Sequence, residues 1–535
     1  MDKKFPIVPN NRTQKRIRTI AIFIGLFCIA SFFRYKTRTI TDDALITYRY
    51  SRNLISGMGL VYNPGEKVLG TTTPLYALVI AGAMLFKSAP WSASLILDCF
   101  FITAVFWMII KLGDHIGDKL WSRLVILLLF MDPLLCLPVG GMETGLFLFL
   151  IYASFLSLIK QRLRLSVVFA LLALFTRPEG GLALMLVLPQ ALFDFKNRKL
   201  RNDWIKILMI VLIPLACAAI FMKTYYGSLI YQSIKGKHAH TNAANVWRLF
   251  FDYFFRRQFF VGERFDIRGV LEWIGFILIL LRYPKLRIFV YWFFAYLIFM
   301  RIGRAPAFVH YHTPLYHIET MGLGVALINL ARLAATGLHK FIEWMSGNAG
   351  KPFFQKPPPD SPLLVPFAFF LFICISPVFY DVSTQIFFWV YRSQRPTLEC
   401  KGYDLAGKWI KNHSEQSDVV MAPEIGYIGY FSERTIFDVM GLVTPEAAGE
   451  IGRLWIWDWA VRKNPEYVVY PFPMKGFTEL PVSFVNNYEI AQVFIYHPEL
   501  TVVFRKNYGI RKGTTGEIWG IDPQKSLTNY IQKAN

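Results

Sequence analysis

Residues 17–50 read IRTIAIFIGLFCIASFFRYKTRTITDDALITYRY. The uncharged run from Ile20 to Phe33 approaches the ~20 residues that cross a bilayer. Soon after it come two adjacent acids, Asp42 and Asp43. Carboxylates this close to a membrane are costly to desolvate, and acids held there tend to be functional, so one of the pair could act as a general base. An Asp ahead of Ala44-Leu45-Ile46 could equally cap a helix by accepting backbone N–H groups. On the residues alone both readings stand.

The rest of the chain repeats the apolar theme. Of 535 residues, 54% are hydrophobic, 16% aromatic and only 18% charged, above the ~45–50% apolar share of soluble domains, which argues against a soluble enzyme. The net charge of +22 would suggest nucleic acid in a soluble protein. Here the basic residues sit in short clusters between apolar runs and read as topology signals, so no nucleic acid is expected as a partner. Cys28, Cys99, Cys136, Cys217 and Cys374 lie inside apolar runs, Cys400 lies in a polar region, and no CxxC site or disulfide framework is visible.

The N-terminal basic residues, Lys3 to Arg18, precede a run without a small-residue cleavage site, so a retained first helix with a cytoplasmic N-terminus is expected. Clusters at Lys111/Lys119/Arg123, Lys160/Arg162/Arg164, Lys196/Arg198/Lys199/Arg201, Arg282/Lys285/Arg287 and Arg332/Lys340/Lys351/Lys356 should face the cytoplasm. Hairpins then turn outside at 138–144, 176–181 and 301–314, with a longer outside loop at 223–268. The run 74–86 is short for a crossing and is assigned to the interface or a re-entrant segment, leaving 35–92 as one large first external loop. The expected architecture is an all-α polytopic membrane domain, residues 1–380, of about eleven transmembrane helices. Residues 336–362 have linker composition. The tail, 381–535, has short β-rich runs at Val419–Ala422, Tyr467–Tyr470 and Thr501–Phe504 and a candidate helix at Leu405–Lys411, and reads as a soluble α/β domain outside the membrane.

The outside segments carry the motifs. Glu143 sits in Gly140-Gly141-Met142-Glu143-Thr144 and Glu179 in Thr176-Arg177-Pro178-Glu179-Gly180; a local ion pair of Arg177 with Glu179 is the simpler account of the second. Lys235, Lys237, His238 and His240 follow Tyr225-Tyr226-Gly227, and Arg301, Arg304, His310, His312 and His317 cluster at the next outside turn. Basic groups at the membrane surface suit a phosphate emerging from lipid, and equally suit anionic headgroups. The histidines could be metal ligands, but no HxxxH with a nearby acid accompanies them, so a divalent metal stays an open question.

The string Asp42-Asp43-Ala44, Arg49-Tyr50, Asn53-Leu54, Gly57, Gly59 to Glu66, Val68, Gly70 and Thr73-Pro74-Leu75 resembles the first external loop of polyprenyl-phosphate-dependent GT-C glycosyltransferases. It is similar above all to mycobacterial-type cell-wall arabinofuranosyltransferases and related bacterial mannosyltransferase-like proteins. The motifs at 141–144, 177–180, 225–227 and 438–445 resemble later family motifs in the same order. Where such proteins often have Pro-Asn-Thr before an external lysine, this chain has Tyr231-Gln232-Ser233 before Lys235 and Lys237.

The resemblance implies a GT-C fold in a bacterial inner (plasma) membrane, with an exported, extracytoplasmic C-terminal domain. It implies Asp42 and Asp43 as catalytic residues, and Arg49, Tyr50, Asn53, Glu143, Arg177, Glu179, Lys235, Lys237, His238, Arg301, Arg304, His310 and His312 as substrate-binding residues. The donor would be a polyprenyl-phosphate sugar, arabinofuranose among the candidates, and the acceptor a cell-envelope glycan or glycolipid, with membrane lipid as the surrounding partner. Polyprenyl phosphate leaves as a stable anion and needs electrostatic stabilisation, whereas the acceptor hydroxyl needs a carboxylate to take its proton. Attack opposite the phosphate would invert the anomeric centre. The competing class is a transporter or flippase of polyprenyl-linked sugar or lipid, which would be favoured by inverted repeats with Gly/Pro-broken spans in matching halves; none is evident.

Overall fold

The computed structural model describes residues 11–36, 40–131, 140–193, 204–239, 260–261, 264–265, 267–302, 309–345, 365–368, 402–450, 455–473, 480–496 and 499–507. The chain is mostly helical, with a small sheet near its C-terminal end. Helix α1 is Asn11–Lys36, α2 Asp42–Ile55, α3 Pro74–Met84, α4 Pro90–Ile116 and α5 Lys119–Met131. Then come α6 Thr144–Ile159, α7 Leu163–Thr176, α8 Gly180–Phe193, α9 Trp204–Tyr226 and α10 Gln232–Ala239. A two-stranded hairpin, β1 Phe260–Val261 and β2 Arg264–Phe265, precedes α11 Ile267–Arg282, α12 Arg287–Ile302 and α13 Val309–Met345.

Among the described residues three helices are long and apolar enough to cross a membrane, within 90–116, 204–226 and 310–337, and five shorter apolar helices accompany them. One of these is α3, whose eleven residues span about 16 Å, roughly half a hydrocarbon core. It packs on α2, where Ser51 Oγ donates to the Ala77 carbonyl at 2.8 Å, so the two helices form one unit. The expected turn at 176–181 is present between α7 and α8. Of the expected turn at 138–144, residues 140–143 form a turn just before α6 and 138–139 lie outside the described residues; of that at 301–314, 301–302 end α12, 309–314 begin α13 and 303–308 lie outside the described residues, as does most of 336–401.

Two ends of the helical domain can be told apart along α4. At its start, Tyr48 Oη lies 2.6 Å from Ser94 Oγ and 3.0 Å from the Gly141 carbonyl, which ties α2 and the 140–143 turn to this end. Gly141 has φ +80°, and a Cβ there would collide with Tyr48 Oη, so glycine is required twice over. At the far end Lys285 Nζ donates to the His115 carbonyl at 2.6 Å, and Arg332 forms a bidentate pair with Asp118 at 2.7 and 3.0 Å. Ser94 and His115 are separated by about 30 Å of helix, the thickness of a bilayer's hydrocarbon core. Lys111 and Lys160 are also neighbours at this second end.

The C-terminal region contains α14 Tyr403–His413, β3 Val419–Ala422, α15 Gly426–Ser432, β4 Thr435–Asp438, α16 Pro445–Ala448, α17 Ile456–Lys463, β5 Tyr467–Pro473, α18 Val482–Val485, β6 Tyr488–Tyr496 and β7 Glu499–Lys506. The sheet order is β4-β3-β5-β7-β6; β3 runs parallel to β4 and β5, while β7 is antiparallel to β5 and β6. Alternation along the strands splits two cores. Val420, Ile436, Val469 and Val503 join Ile410 and Ile428 in a core continuous with the helical domain. Met421, Phe437, Val468 and Phe504 face the other way, under Trp459 and Phe484.

Candidate active site

Helix α2 is capped by Thr41, not by either aspartate: Thr41 Oγ1 accepts the Ala44 N–H at 3.3 Å, and the Thr41 N–H donates to the Gly140 carbonyl at 3.0 Å. The first turn therefore leaves both acids available, and they part company. Asp42 accepts the Gly426 N–H at 2.7 Å and the Tyr427 N–H at 2.8 Å, one on each oxygen, and so caps α15 of the C-terminal domain. Gly426 lies so close to the Asp42 backbone that a Cβ would overlap it. Burial, with the nearby Glu424, pushes the Asp42 carboxyl up to about 8, against the two amides that favour its charged form.

Asp43 lines a cavity of about 160 Å³. Among the described residues its carboxylate has no hydrogen-bond partner. Ile46 and Thr47, one turn on, continue the same wall, and Gly70 to Thr73 join it; Thr73 Oγ1 lies 3.3 Å from Thr47 Oγ1 and 3.1 Å from Thr71 Oγ1. The lining also holds an ion cluster. Arg177 extends between Glu179, at 3.1 Å, and Glu143, at 3.8 Å, and donates to the His310 carbonyl at 3.0 Å. The Phe147 and Tyr311 rings flank its guanidinium. Burial opposes its charge, but Glu179, Tyr296 and Glu143 outweigh that and hold it firmly protonated. Burial raises the Glu143 carboxyl, and Arg177 pulls it back. Glu179 Oε2 is buried with no hydrogen-bond partner among the described residues.

Of the residues expected at the site, Asp43, Glu143, Arg177, Glu179 and His310 come together around this cavity. Arg49, Tyr50 and Asn53 do not line it. Arg49, on the side of α2 turned toward the C-terminal domain, donates to the carbonyls of Tyr62 at 2.8 Å, Gly429 at 2.7 Å and Arg434 at 2.6 Å, and to Asn63 Oδ1 at 3.2 Å. Tyr50 Oη donates to the Val68 carbonyl, and Asn53 Nδ2 to those of Val61 and Tyr62. These three shape the first loop and its seam with the C-terminal domain. Lys235 is exposed on α10, and His312 follows His310 on α13 without lining the cavity. The side chains of Lys237, His238 and Arg301, and all of Arg304, lie outside the described residues.

Sequence reasoning missed part of the lining. Met142, Ser233, Tyr311 and Leu442 all contribute. Leu442 comes from the C-terminal domain, in a loop gathered by Asp438, whose carboxylate accepts the N–H groups of Met440 at 2.8 Å, Val443 at 3.0 Å and Leu442. Among the described residues no group of three His, Cys, Asp or Glu is placed to hold a metal ion.

Residues 391–515 match a family described as "Domain of unknown function (DUF8728)". No curated protein matches the sequence. Among solved structures, the chain is similar to archaeal oligosaccharyltransferase AglB from Archaeoglobus fulgidus in complex with an inhibitory peptide and a dolichol-phosphate, at 10% identity, over 90% of this chain and 74% of that one, with a TM-score of 0.48. It is similar to ArnT from Cupriavidus metallidurans in the apo state, at 10% identity, over 92% of this chain and 98% of ArnT, with a TM-score of 0.50. For ArnT bound to undecaprenyl phosphate the identity and coverage are the same and the TM-score is 0.51. At this identity the likeness establishes the fold alone: a GT-C helical domain followed by a small C-terminal sheet domain.

Proposed function

We propose that this protein is an integral membrane glycosyltransferase that moves a sugar from a polyprenyl-phosphate donor to a hydroxyl of a cell-envelope glycan or glycolipid on the extracytoplasmic side. The observation that carries the reading is the division of labour at the start of α2. Asp42 has both oxygens engaged by backbone, whereas Asp43, one residue on, lines the cavity without a hydrogen-bond partner among the described residues. A carboxylate held open in a cavity of this kind suits a general base.

In this reading Asp43 takes the proton of the acceptor hydroxyl as its oxygen bonds to the anomeric carbon. The bond from that carbon to the phosphate oxygen breaks with inversion, and polyprenyl phosphate departs with the electron pair. Glu143 and Glu179, fixed by Arg177, accept hydroxyl groups of the sugars. The likeness of fold to ArnT, solved with undecaprenyl phosphate, supports a lipid-linked donor. The first-loop resemblance supports arabinofuranose as the first sugar to test.

The experiment is mass spectrometry of cell-envelope glycans and polyprenyl-phosphate sugars in a strain lacking the protein. Accumulation of one lipid-linked sugar, with loss of that sugar from a glycan or glycolipid, is expected and identifies both substrates. The same donor accumulating on the cytoplasmic face alone would point to a flippase instead.

A further inference from the structure

The cavity presents a problem of charge. Its lining includes three carboxylates, Asp43, Glu143 and Glu179, while Arg177, the lining guanidinium, is already paired with two of them. An anionic leaving group entering this space must be met elsewhere on the wall. Thr71, Thr72, Thr73, His310 and Tyr311 also line it, and at the start of α10 it carries a buried hydroxyl that has no hydrogen-bond partner among the described residues.

That start is fixed from two directions. The Gln232 N–H donates to the Leu69 carbonyl at 2.7 Å, and Gln232 Nε2 donates to the Gly441 carbonyl at 3.0 Å. Ile234 and Lys235 N–H groups turn back to Tyr231. Ser233 lies between these anchored groups, is 5% exposed and lines the cavity. Its Oγ is buried and has no hydrogen-bond partner, and its N–H has no acceptor among the described residues. A hydroxyl buried without a partner is destabilising, and helix starts concentrate unpaired N–H groups and positive potential. Hydroxyl, amide and helix dipole together make an anion seat. Lys235 stands exposed two residues on, and α9, which leads directly into this segment, exposes Ile213, Ile220 and Phe221, a surface suited to an isoprenoid tail.

We infer that the Ser233 hydroxyl and amide, at the start of α10, seat the phosphate of a lipid-linked donor and hold it as the leaving group. The inference rests on the transferase reading above and adds to it the place of the phosphate. As the bond to the anomeric carbon breaks, its electron pair stays on the phosphate oxygen, and the acceptor proton goes to Asp43, which lines the same cavity.

The test uses the full-length protein in nanodiscs, with undecaprenyl phosphate, undecaprenol and inorganic phosphate as probes. Ser233→Ala deletes a buried unpaired hydroxyl, so the variant should melt at or above the wild-type temperature. It is expected to bind undecaprenyl phosphate about tenfold more weakly, the scale of one charged hydrogen bond, and undecaprenol as well as wild type does. Wild-type affinity for undecaprenyl phosphate, or an equal loss for undecaprenol, would overturn the seat. Inorganic phosphate binding as tightly as the lipid, with the same dependence on Ser233, would assign the seat to free phosphate and overturn the donor assignment. Wild-type turnover in Asp43→Asn would sink the transferase mechanism yet leave the seat standing, so the two failures are distinguishable.

Discussion

Asp42 and Asp43 have the same side chain, and the helix they begin turns them toward different partners. Sequence made the pair conspicuous but could not separate base from support, because the amides that occupy Asp42 belong to Gly426 and Tyr427, more than 380 residues away. Exchange to Asn should separate them. Asp43→Asn keeps shape and removes basicity, so it should fold, bind donor and lose about 10²–10⁴ of the transfer rate. Asp42→Asn exchanges an acceptor oxygen for a donor nitrogen facing an N–H, so it should keep turnover but lower stability by about 1–3 kcal/mol in thermal melts. Loss of turnover in Asp42→Asn at wild-type stability would reverse the assignment. Acidity supplies a second check. The Asp42 carboxyl rises from 3.8 to about 8 on folding and that of Asp438 from 3.8 to about 6, burial being the main cause of both. The folded state therefore holds protons that the unfolded chain releases, and stability present below pH 3.8 is lost as pH rises through these values. Of these two shares only that of Asp42 extends from about pH 6 to 8, so the melting temperature should fall across that window in wild type and fall less in Asp42→Asn.

At the scale of elements, α2 works as a partition. Asp43, Ile46 and Thr47 face the cavity, while Arg49 and Arg52 reach the C-terminal domain, Arg52 through the Tyr430 carbonyl at 2.9 Å and Glu433 at 3.2 Å. Helical periodicity makes such a split readable in principle. What sequence could not supply was the identity of the second surface, since Gly429 and Arg434 contribute carbonyls, which leave no trace in side-chain patterns. Arg49 spans four acceptors with one planar fork, a task a lysine cannot perform. Arg49→Ala and Arg49→Lys should therefore both loosen the seam. Each carbonyl left buried and unpaired costs about 1–3 kcal/mol, so proteolysis between the helical and C-terminal regions should speed up in both variants. Equal protection of Arg49→Lys and wild type would contradict the account. The short strands were legible where they were richest in β-branched residues, as at Val419–Ala422, which the structure reproduces residue for residue. β6 was not, because the run Tyr488–Tyr496 is interrupted by the irregular register between Ile490 and Gln492.

At the scale of the molecule, basic residues from separate elements meet at one end. Lys111, Lys160, Lys285 and Arg332 are far apart in sequence, yet the contacts among His115, Lys285, Asp118 and Arg332 gather them around the C-terminal end of α4. The cavity adjoins the other end, about 30 Å away along the helix. Charge bias in loops predicts the first end to be cytoplasmic and the cavity, with the C-terminal domain, to be outside. Asp114 and Glu415 are exposed positions at the two ends and can each be changed to Cys in a cysteine-free background. An impermeant thiol reagent applied to intact cells should label Glu415→Cys, while Asp114→Cys should react only after the membrane is opened. The reverse pattern would place the cavity in the cytoplasm, where the acceptor could no longer be an exported glycan, and the charge rule would have failed here despite the convergence of four basic residues on one end.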